Sequence, residues 1–262
     1  MEIVGRVESL WRYPVKSMRG EQLSESFVGF AGIYGDRLYA FHNTGGSPGF
    51  PYLTGREREP MLLFQPRFRQ AESMRRPPNL DHAEALGPGV TPLYPAPAET
   101  LVDVETPDGQ KFPIDDPLLI QRLRDGLGDR HTISLIRSDR ALTDCRPVSI
   151  FGTWTARRLS EEVGTAIDQR RFRANIYVDF ESRKGFAEDE FVGRTLRIGG
   201  RVTLAILERD PRCKMITLDP DTAQPNPDVM RCVSRDHEGK VGVYAAVLIE
   251  GTVRPGDAVT LT

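Results

Sequence analysis

The sequence predicts an α+β fold dominated by β-structure, and three features support this prediction. Short apolar runs of strand length recur along the chain, separated by glycine and proline. Only two segments, Asp116–Leu127 and Thr153–Val163, show the boundary residues expected of helices. The 262 residues are enough for two domains of ordinary size. We therefore expect a barrel or sandwich, a few helices, and two stretches that meet near residue 115.

The first stretch is expected to consist of strands joined by tight turns. Residues 1–10 alternate apolar and polar side chains, as a half-buried strand does. Further short apolar runs follow at residues 26–30, 37–41 and 61–68. Residues 70–99 contain six prolines and predict a long surface excursion. Leu101–Ile114 then predicts a hairpin around a Pro-Asp-Gly turn.

The second stretch combines the two helices with further strands. The first helix has Asp115 or Asp116 as its N-cap and Pro117 at its first position. The second helix should end at Gly164. Strands are expected at residues 174–180, 195–198, 202–207, 241–249 and 258–261. Residues 251–256 predict a turn before the closing strand.

Composition excludes several classes of protein. The formal net charge of −2 gives no overall basic field for nucleic acid. No apolar run approaches the roughly 18 residues of a membrane span, and the N-terminus lacks the pattern of a signal peptide, so we expect a cytoplasmic protein without a membrane partner. Three widely spaced cysteines and four scattered histidines favour neither a disulfide framework nor a structural zinc site.

Two turns in the first stretch offer side chains that could bind an anion. In the segment YPVKS the proline cannot donate to a sheet, so a strand should end there and leave Lys16 and Ser17 in a turn. In GIYGDR two glycines permit a tight turn before Arg37, whose guanidinium can bind phosphate in a bidentate way. A solvated lysine and a surface Asp-Arg ion pair are the alternative interpretations.

The segment RRFRANI is a third candidate. If its backbone is extended, Arg171, Arg173 and Asn175 share one side, because side chains repeat every second residue. Arg173 and Asn175 could then contact one ligand together. The alternative is a basic strand edge that discourages aggregation.

The segment PRCKM makes Cys213 the fourth candidate. It lies between Arg212 and Lys214, and flanking cations favour the thiolate form that binds metals. Cys145 follows an aspartate, whose charge disfavours a thiolate, and Cys232 lies in a mostly apolar segment where an inert thiol is expected. The alternative for Cys213 is likewise a small buried apolar residue.

Together these segments resemble the MOSC family in its two-part form. The order and spacing of several motifs carry the resemblance: LWRYPVKSMRGEQL, GDRLYAF, LTGREREP, RPVSIF, RFRANI, GFAEDEFVGRTLRIG, PRCKMITLDPDT and VGVYAAVLIEGTVRPGDAVTL. The resemblance implies an N-terminal β-barrel domain at residues 1–115 and a MOSC-type β-barrel domain at residues 116–262. The proline-rich excursion lies outside the resemblance.

The resemblance also implies a molybdenum cofactor, which is a pyranopterin dithiolene with a terminal phosphate, bound in the cleft between the domains. Cys213 would ligate the molybdenum and thereby serve as the catalytic residue. The residues that would contact the rest of the cofactor are Lys16, Ser17, Arg37, Thr153, Arg173, Asn175 and Arg212.

The function implied by the resemblance is an oxidoreductase. It would reduce small N-oxygenated, N-hydroxylated substrates with electrons from an external donor protein of the ferredoxin or haem type. A molybdenum-cofactor carrier or a sulfur carrier without turnover is the alternative from a different class. A β-barrel binding module with a vestigial site is a third possibility.

Overall fold

The computed structural model describes residues 2–47, 49–87 and 96–262. The α-helices of these residues are α1 (Leu80–Ala85), α2 (Pro117–Arg124), α3 (Thr153–Val163) and α4 (Pro227–Asp236). The strands are β1 (Glu2–Arg12), β2 (Glu21–Leu23), β3 (Ser26–Gly29), β4 (Gly32–Ile33), β5 (Tyr39–Ser47), β6 (Phe50–Tyr52), β7 (Gln65–Phe68), β8 (Val102–Glu105), β9 (Lys111–Pro113), β10 (Ile133–Arg137), β11 (Val148–Gly152), β12 (Ile176–Phe180), β13 (Thr195–Ile198), β14 (Val202–Pro211), β15 (Lys240–Ile249), β16 (Gly251–Val253) and β17 (Ala258–Leu261). Short 3-10 helices span Glu59–Leu63, Ala71–Met74, Pro97–Thr100, Gln169–Phe172, Ala187–Phe191 and Lys214–Thr217.

Seven strands close into a barrel around the first hydrophobic core. Their order is β12-β11-β15-β14-β13-β17-β1, and pairing of β1 with β12 completes the ring. The β11–β12 pair is parallel because α3 crosses over between these strands, and the other pairs of the ring are antiparallel. Leu10, Ile150 and Val243 are among the buried residues inside the ring. The predicted β-dominated α+β fold is confirmed.

A second core lies under three-stranded sheets of the N-terminal half. One sheet has the order β10-β5-β6 and another the order β7-β8-β9. Phe41, Leu53 and Met61 are fully buried in this core, together with Leu119 of α2. The third small sheet, β16-β3-β4, pairs the N-terminal half with a C-terminal strand.

The sheets cross the predicted domain boundary in both directions. Strand β1 belongs to the barrel of C-terminal strands, whereas α2 and β10 pack with the N-terminal core. The division into residues 1–115 and 116–262 stays a prediction. Because the two halves exchange strands, a site between them is assembled from segments far apart in the sequence.

Both predicted helices form, α3 with the expected boundaries and α2 with the expected start, but α2 ends at Arg124 and so falls short of the predicted end at Leu127. The side chain of Asp116 accepts a hydrogen bond from the backbone of Leu118 at 2.8 Å and caps α2. Helix α3 ends at Gly164, which has the left-handed φ of 76°. Helix α4 was not predicted, although Asn226 caps it and Pro227 occupies its first turn.

Three local expectations require correction. Residues 61–68 were expected to be one extended run, but a 3-10 helix at Glu59–Leu63 precedes β7. Residues 251–256 were expected to be a turn, but β16 occupies their first half. The excursion at residues 70–99 is not wholly on the surface, because Met74 and Leu80 are buried in the second core; its residues 88–95 lie outside the described part of the chain.

No helix in the described ranges has the length and apolar character required to cross a membrane.

Candidate functional site

A pocket between the two halves contains seven of the eight predicted site residues. They are Lys16, Ser17, Arg37, Arg173, Asn175, Arg212 and Cys213. Segments from both ends of the chain form its walls, because strand β1 leads from the barrel directly into the turn at Lys16. The eighth residue, Thr153, lies elsewhere, at the start of α3, where its hydroxyl bonds to Asp179 at 3.2 Å.

The Lys16 turn forms where β1 ends, as the sequence predicts. The backbone of Lys16 donates to the carbonyl of Tyr39 at 2.8 Å, and Ser17 adopts a left-handed φ of 65°. The Lys16 side chain is buried, and its ammonium bonds to the carbonyl of Leu142 at 2.7 Å and pairs with the carboxylate of Asp144. Burial lowers the pKa of Lys16, while Asp144 opposes that change.

The Arg37 turn depends on its glycines. Gly32 and Gly35 both have positive φ, and a Cβ on Gly32 would lie 2.3 Å from the carbonyl oxygen of Pro147. The backbone of Arg37 donates to the carbonyl of Tyr13 at 2.7 Å, and its guanidinium pairs with the fully buried carboxylate of Asp36. The turn therefore directs Arg37 into the pocket and neutralises part of its charge.

Arg173 reaches the pocket by a different backbone from the one expected. The segment before it is a 3-10 helix, and Arg173 itself has a left-handed φ of 52°, so strand alternation does not account for its direction. The cause is Asp168, whose side chain accepts from the backbone of Arg170 at 2.8 Å and starts the helical turn.

The side chain of Arg173 is half-buried and incompletely paired. Its guanidinium carbon lies 4.2 Å from the centre of the Tyr13 ring, and that of Arg37 lies 4.8 Å from the same ring. Atom Nη2 of Arg173 is buried, and within the described chain it finds no hydrogen-bond partner. Burial lowers the pKa of Arg173 to about 10. A buried donor without an acceptor is costly unless a ligand satisfies it.

Asn175 and Arg171 line the pocket with side chains that also bond to protein atoms. The amide oxygen of Asn175 accepts from the backbone and the hydroxyl of Ser149 at 3.2 and 3.1 Å, and its nitrogen donates to the carbonyl of Trp11 at 3.3 Å. Arg171 donates to the carbonyl of Thr217 at 2.7 Å and pairs with an aspartate. Both residues hold strands and loops of the site together.

Cys213 is half-buried at the start of the 3-10 helix Lys214–Thr217. The guanidinium of Arg212 also lines the pocket, where it lies 2.8 Å from the carboxylate of Asp210 and donates to the carbonyl of Val241 at 2.7 Å. Lys214 instead bonds to Glu59 at 2.5 Å and is not a lining residue. One of the two cations that flank Cys213 in sequence therefore shares the pocket with it.

The other cysteines differ from Cys213 in their surroundings. Cys145 is an exposed residue, but partial desolvation of its thiol, together with the charge of Asp144, raises its pKa. Cys232 is buried beside Glu162, and burial is the main cause that raises its pKa to about 11. Both environments disfavour a thiolate, as the sequence predicts.

Sequence reasoning missed several residues of the pocket. The additional charged and polar lining residues are Thr54, Arg56, Thr143, Asp144, Arg146, Ser149, Asp210 and Tyr244. Burial raises the pKa of Asp210 to about 6, although Arg212 opposes the change. No local pattern marks these residues, because each is brought to the pocket by tertiary contacts. With them, seven cationic side chains and two carboxylates line the pocket.

The residues present fit a cofactor with an anionic end and a metal that takes a thiolate. The excess of cations favours a phosphate, which carries about −1.5 to −2 charge near neutral pH. Arg173 lines the pocket, and its unpartnered Nη2 is a donor that such a group could satisfy. Cys213 supplies a soft ligand in the same pocket. The assignment of individual residues to individual contacts stays a prediction.

Comparisons with known structures show distant likenesses. The YuaD protein from Bacillus subtilis has a TM-score of 0.48 and 14% identity, over 98% of this chain and 94% of that chain. YiiM from Geobacillus stearothermophilus has a TM-score of 0.35 and 19% identity, over 45% of this chain and 54% of that one. YiiM from Escherichia coli gives 0.31 and 18%, over 45% and 54%. No curated protein matches the sequence.

Family models match most of the chain. The model of the MOSC N-terminal beta barrel domain matches residues 4–112, and the model of the MOSC domain matches residues 137–260. Their order is that of the resemblance in the motifs. The chain therefore belongs to the MOSC family, in the form in which the N-terminal barrel domain precedes the MOSC domain.

Proposed function

We propose that this protein is a molybdenum-cofactor-dependent oxidoreductase that reduces N-hydroxylated compounds. MOSC domains are associated with binding of the molybdenum cofactor in general. The observation that carries the proposal is the position of Cys213, half-buried in a pocket with seven cationic side chains. When bound, the cofactor supplies the two-electron chemistry, and the protein supplies binding, orientation and electrostatics.

The cationic side chains have the task of binding the anionic end of the cofactor. Lys16, Arg37 and Arg173 reach the pocket from two turns and a 3-10 helix, and each is held by backbone or aromatic contacts. Charge-assisted hydrogen bonds of this kind contribute about 1.5–3 kcal/mol each. The Cys213 thiolate is the protein ligand of the metal in this proposal.

The reduction needs protons as well as electrons. Conversion of an N–OH group to N–H consumes two electrons and two protons and releases one water. Asp210 lines the pocket, and its pKa of about 6 allows its carboxyl group to hold a proton just below neutral pH. We assign it the role of proton donor, with Tyr244 lining the pocket beside it.

The electrons come from a separate donor protein of the ferredoxin or haem type in this proposal. We place the protein in the cytoplasm, where reducing conditions keep thiols free.

Two lining residues of the pocket could contact a small substrate. The guanidinium carbon of Arg56 lies 4.2 Å from the centre of the Phe50 ring. This pair offers the substrate a cation and an aromatic surface.

Expression in a host that makes the cofactor tests the proposal. We expect about one molybdenum per chain and reduction of hydroxylamines and amidoximes with reduced viologen as electron donor. Holo protein that is inactive on a broad panel of N-hydroxylated compounds supports the carrier function instead. Protein that repeatedly binds less than about a tenth of an equivalent of molybdenum contradicts both the oxidoreductase and the cofactor carrier, and leaves the sulfur carrier as the alternative.

A further inference from the structure

A second group of metal-ligating side chains lies outside the pocket, between the C-terminal ends of α3 and α4. One ligand atom each from Glu162, Cys232 and His237 can be chosen so that all lie within 4.8 Å of one another. The Cys232 sulfur lies 3.6 Å from Oε2 of Glu162 and 3.7 Å from Oδ2 of Asp236. Ring atom Nε2 of His237 lies 2.6 Å from the same Oε2 of Glu162.

From this convergence we infer a structural zinc site formed by Glu162, Cys232 and His237. Asp236 lies outside the converging group and pairs with Arg235, so its carboxylate must turn toward the other three side chains to become the fourth ligand. Zinc takes cysteine sulfur, histidine nitrogen and carboxylate oxygen, usually four of them in a tetrahedron. The inference is independent of the proposed function, and it departs from the sequence expectation that no structural zinc site is present.

The spacing of the ligand atoms is close to that of such a site. Ligand atoms around tetrahedral zinc are separated by roughly 3.3–3.8 Å. The two distances from the Cys232 sulfur lie in this range. The Glu162–His237 contact is a hydrogen bond and must lengthen by roughly 0.7 Å when the metal replaces the shared proton.

The helix geometry explains why these residues meet. Cys232 and Asp236 are four residues apart on α4, so their side chains lie on one face of the helix. His237 follows directly as the C-terminal cap of α4. Glu162 comes from the last turn of α3, which packs against α4. The site therefore joins the C-terminal ends of two helices.

Neighbouring side chains orient the ligands, as is usual for metal sites. Arg158 donates to Oε1 of Glu162 at 2.8 Å, which leaves Oε2 directed at His237 and Cys232. The imidazole of His237 stacks on Phe186 with ring centres 4.1 Å apart. Burial raises the pKa of the Cys232 thiol to about 11, so a divalent cation must displace its proton to bind.

The site supports the segment that presents Cys213. The carbonyl of His237 accepts from Arg209 at 3.0 Å, and that of Gly239 accepts from the backbone of Arg212 at 2.8 Å. Both donors lie on the strand and loop that lead to the cysteine. Zinc at the end of α4 therefore stabilises one wall of the pocket without entering it.

Zinc and cobalt titrations of the chelator-treated full chain test the inference. We expect about one tightly bound zinc per chain, a higher Tm with zinc, and a thiolate-to-cobalt charge-transfer band with Co²⁺. Cys232→Ser should abolish the band, and His237→Gln should weaken zinc binding at least roughly 100-fold. Cys145→Ser and Cys213→Ala are the matched controls, and both should keep the cobalt band and the zinc affinity.

Several outcomes contradict the zinc site. They are the absence of tight zinc binding, a cobalt band that survives in Cys232→Ser, or a band lost in Cys213→Ala instead. If Cys232→Ser does not fold, Glu162→Gln and His237→Gln provide the same comparison, and unchanged zinc affinity in both variants overturns the inference. Molybdenum content is measured separately. Failure of the proposed function therefore appears as low molybdenum content, whereas failure of the zinc site appears in the zinc and cobalt titrations.

Discussion

The guanidinium of Arg37 donates a hydrogen bond to the backbone carbonyl of Arg173 at 3.1 Å, although the two residues are 136 positions apart. Both adopt left-handed backbone conformations, with φ of 46° and 52°, and both lie against the ring of Tyr13. Such conformations cost of order 1–3 kcal/mol each and persist where the surrounding structure imposes them. The two halves of the chain thus contribute one arginine each to a single cationic side of the pocket. Arg37 is paired with Asp36, whereas Arg173 has no ion pair in the described chain.

Substitution by methionine should separate the roles of these arginines. Arg37→Met leaves the buried carboxylate of Asp36 without its cation, which costs about 3–5 kcal/mol of apo-protein stability. Arg173→Met removes a half-buried charge that has no ion pair in the described chain and whose enclosed Nη2 atom has no hydrogen-bond partner there, so apo stability should stay equal or rise. Both variants should lose bound cofactor.

Urea unfolding of the apo proteins and molybdenum analysis of the holo proteins measure these effects. Two results would contradict the separate roles of the arginines. One is an Arg173→Met protein that keeps a full equivalent of molybdenum, and the other is an Arg173→Met protein that unfolds at urea concentrations as low as those that unfold Arg37→Met.

Asp144 competes with an anion for the ammonium of Lys16. The pair is half-exposed on the Asp144 side, so its contribution is about 1 kcal/mol or less. Asp144→Asn should therefore strengthen binding of inorganic phosphate up to about fivefold, as measured by calorimetry. Asp103→Asn, which opens the exposed Arg69–Asp103 pair, is the control and should change nothing. Weaker phosphate binding in Asp144→Asn would show that the carboxylate supports the anion site.

Asp210 should make stability depend on pH. Burial raises its pKa to about 6, so between about pH 4 and 6 the folded state binds more protons than the unfolded state. The contribution of Asp210 to the free energy of unfolding is therefore highest below pH 4. It falls by about 3 kcal/mol in total as the pH rises to 6. Asp210→Asn should lack this fall in urea unfolding curves recorded across the window. Identical pH profiles for the two proteins would refute the assignment.

Local sequence signals account for most elements around the pocket. Asp116 and Pro117 start α2 and Gly164 ends α3 as expected, because capping is decided within one turn of chain. Asn226 with Pro227 is the same kind of signal, and α4 could have been predicted from it. The 3-10 turn before Arg173 could likewise have been found from its capping aspartate.

Residues of the site that depend on tertiary contacts could not be predicted. Asp144 meets Lys16 across 128 positions of sequence, and no local pattern indicates which carboxylate an ammonium will find. For Thr153 the local prediction was correct and the tertiary one was not: the residue starts α3 as expected, but it lines a different pocket from the cationic one. Whether a helix start faces a ligand depends on packing rather than on capping.

Gly32 joins the two halves by a close backbone approach. Its φ of 109° is rarely adopted by other residues, and a Cβ would lie 2.3 Å from the carbonyl oxygen of Pro147. Gly32→Ala should lower the free energy of unfolding by at least about 1–3 kcal/mol. Gly109→Ala is the control for φ alone, because Gly109 also has positive φ but meets no atom within 4 Å. Equal losses in the two variants would mean that the contact with Pro147 is unimportant.

Cys213→Ala should remove the protein ligand of molybdenum while leaving the cationic contacts in place. The thiol of Cys213 lines the pocket, whereas Cys145 is exposed outside it and Cys232 is buried at the end of α4. Cofactor should be retained in part by Lys16 and the arginines, but its metal should lose one sulfur neighbour in X-ray absorption, and reduction with viologen should fall at least roughly a hundredfold. Cys145→Ser should keep both the sulfur neighbour and the activity. If the sulfur is lost with Cys145 instead, or persists in Cys213→Ala, the ligand assignment is wrong even though the chain belongs to the MOSC family.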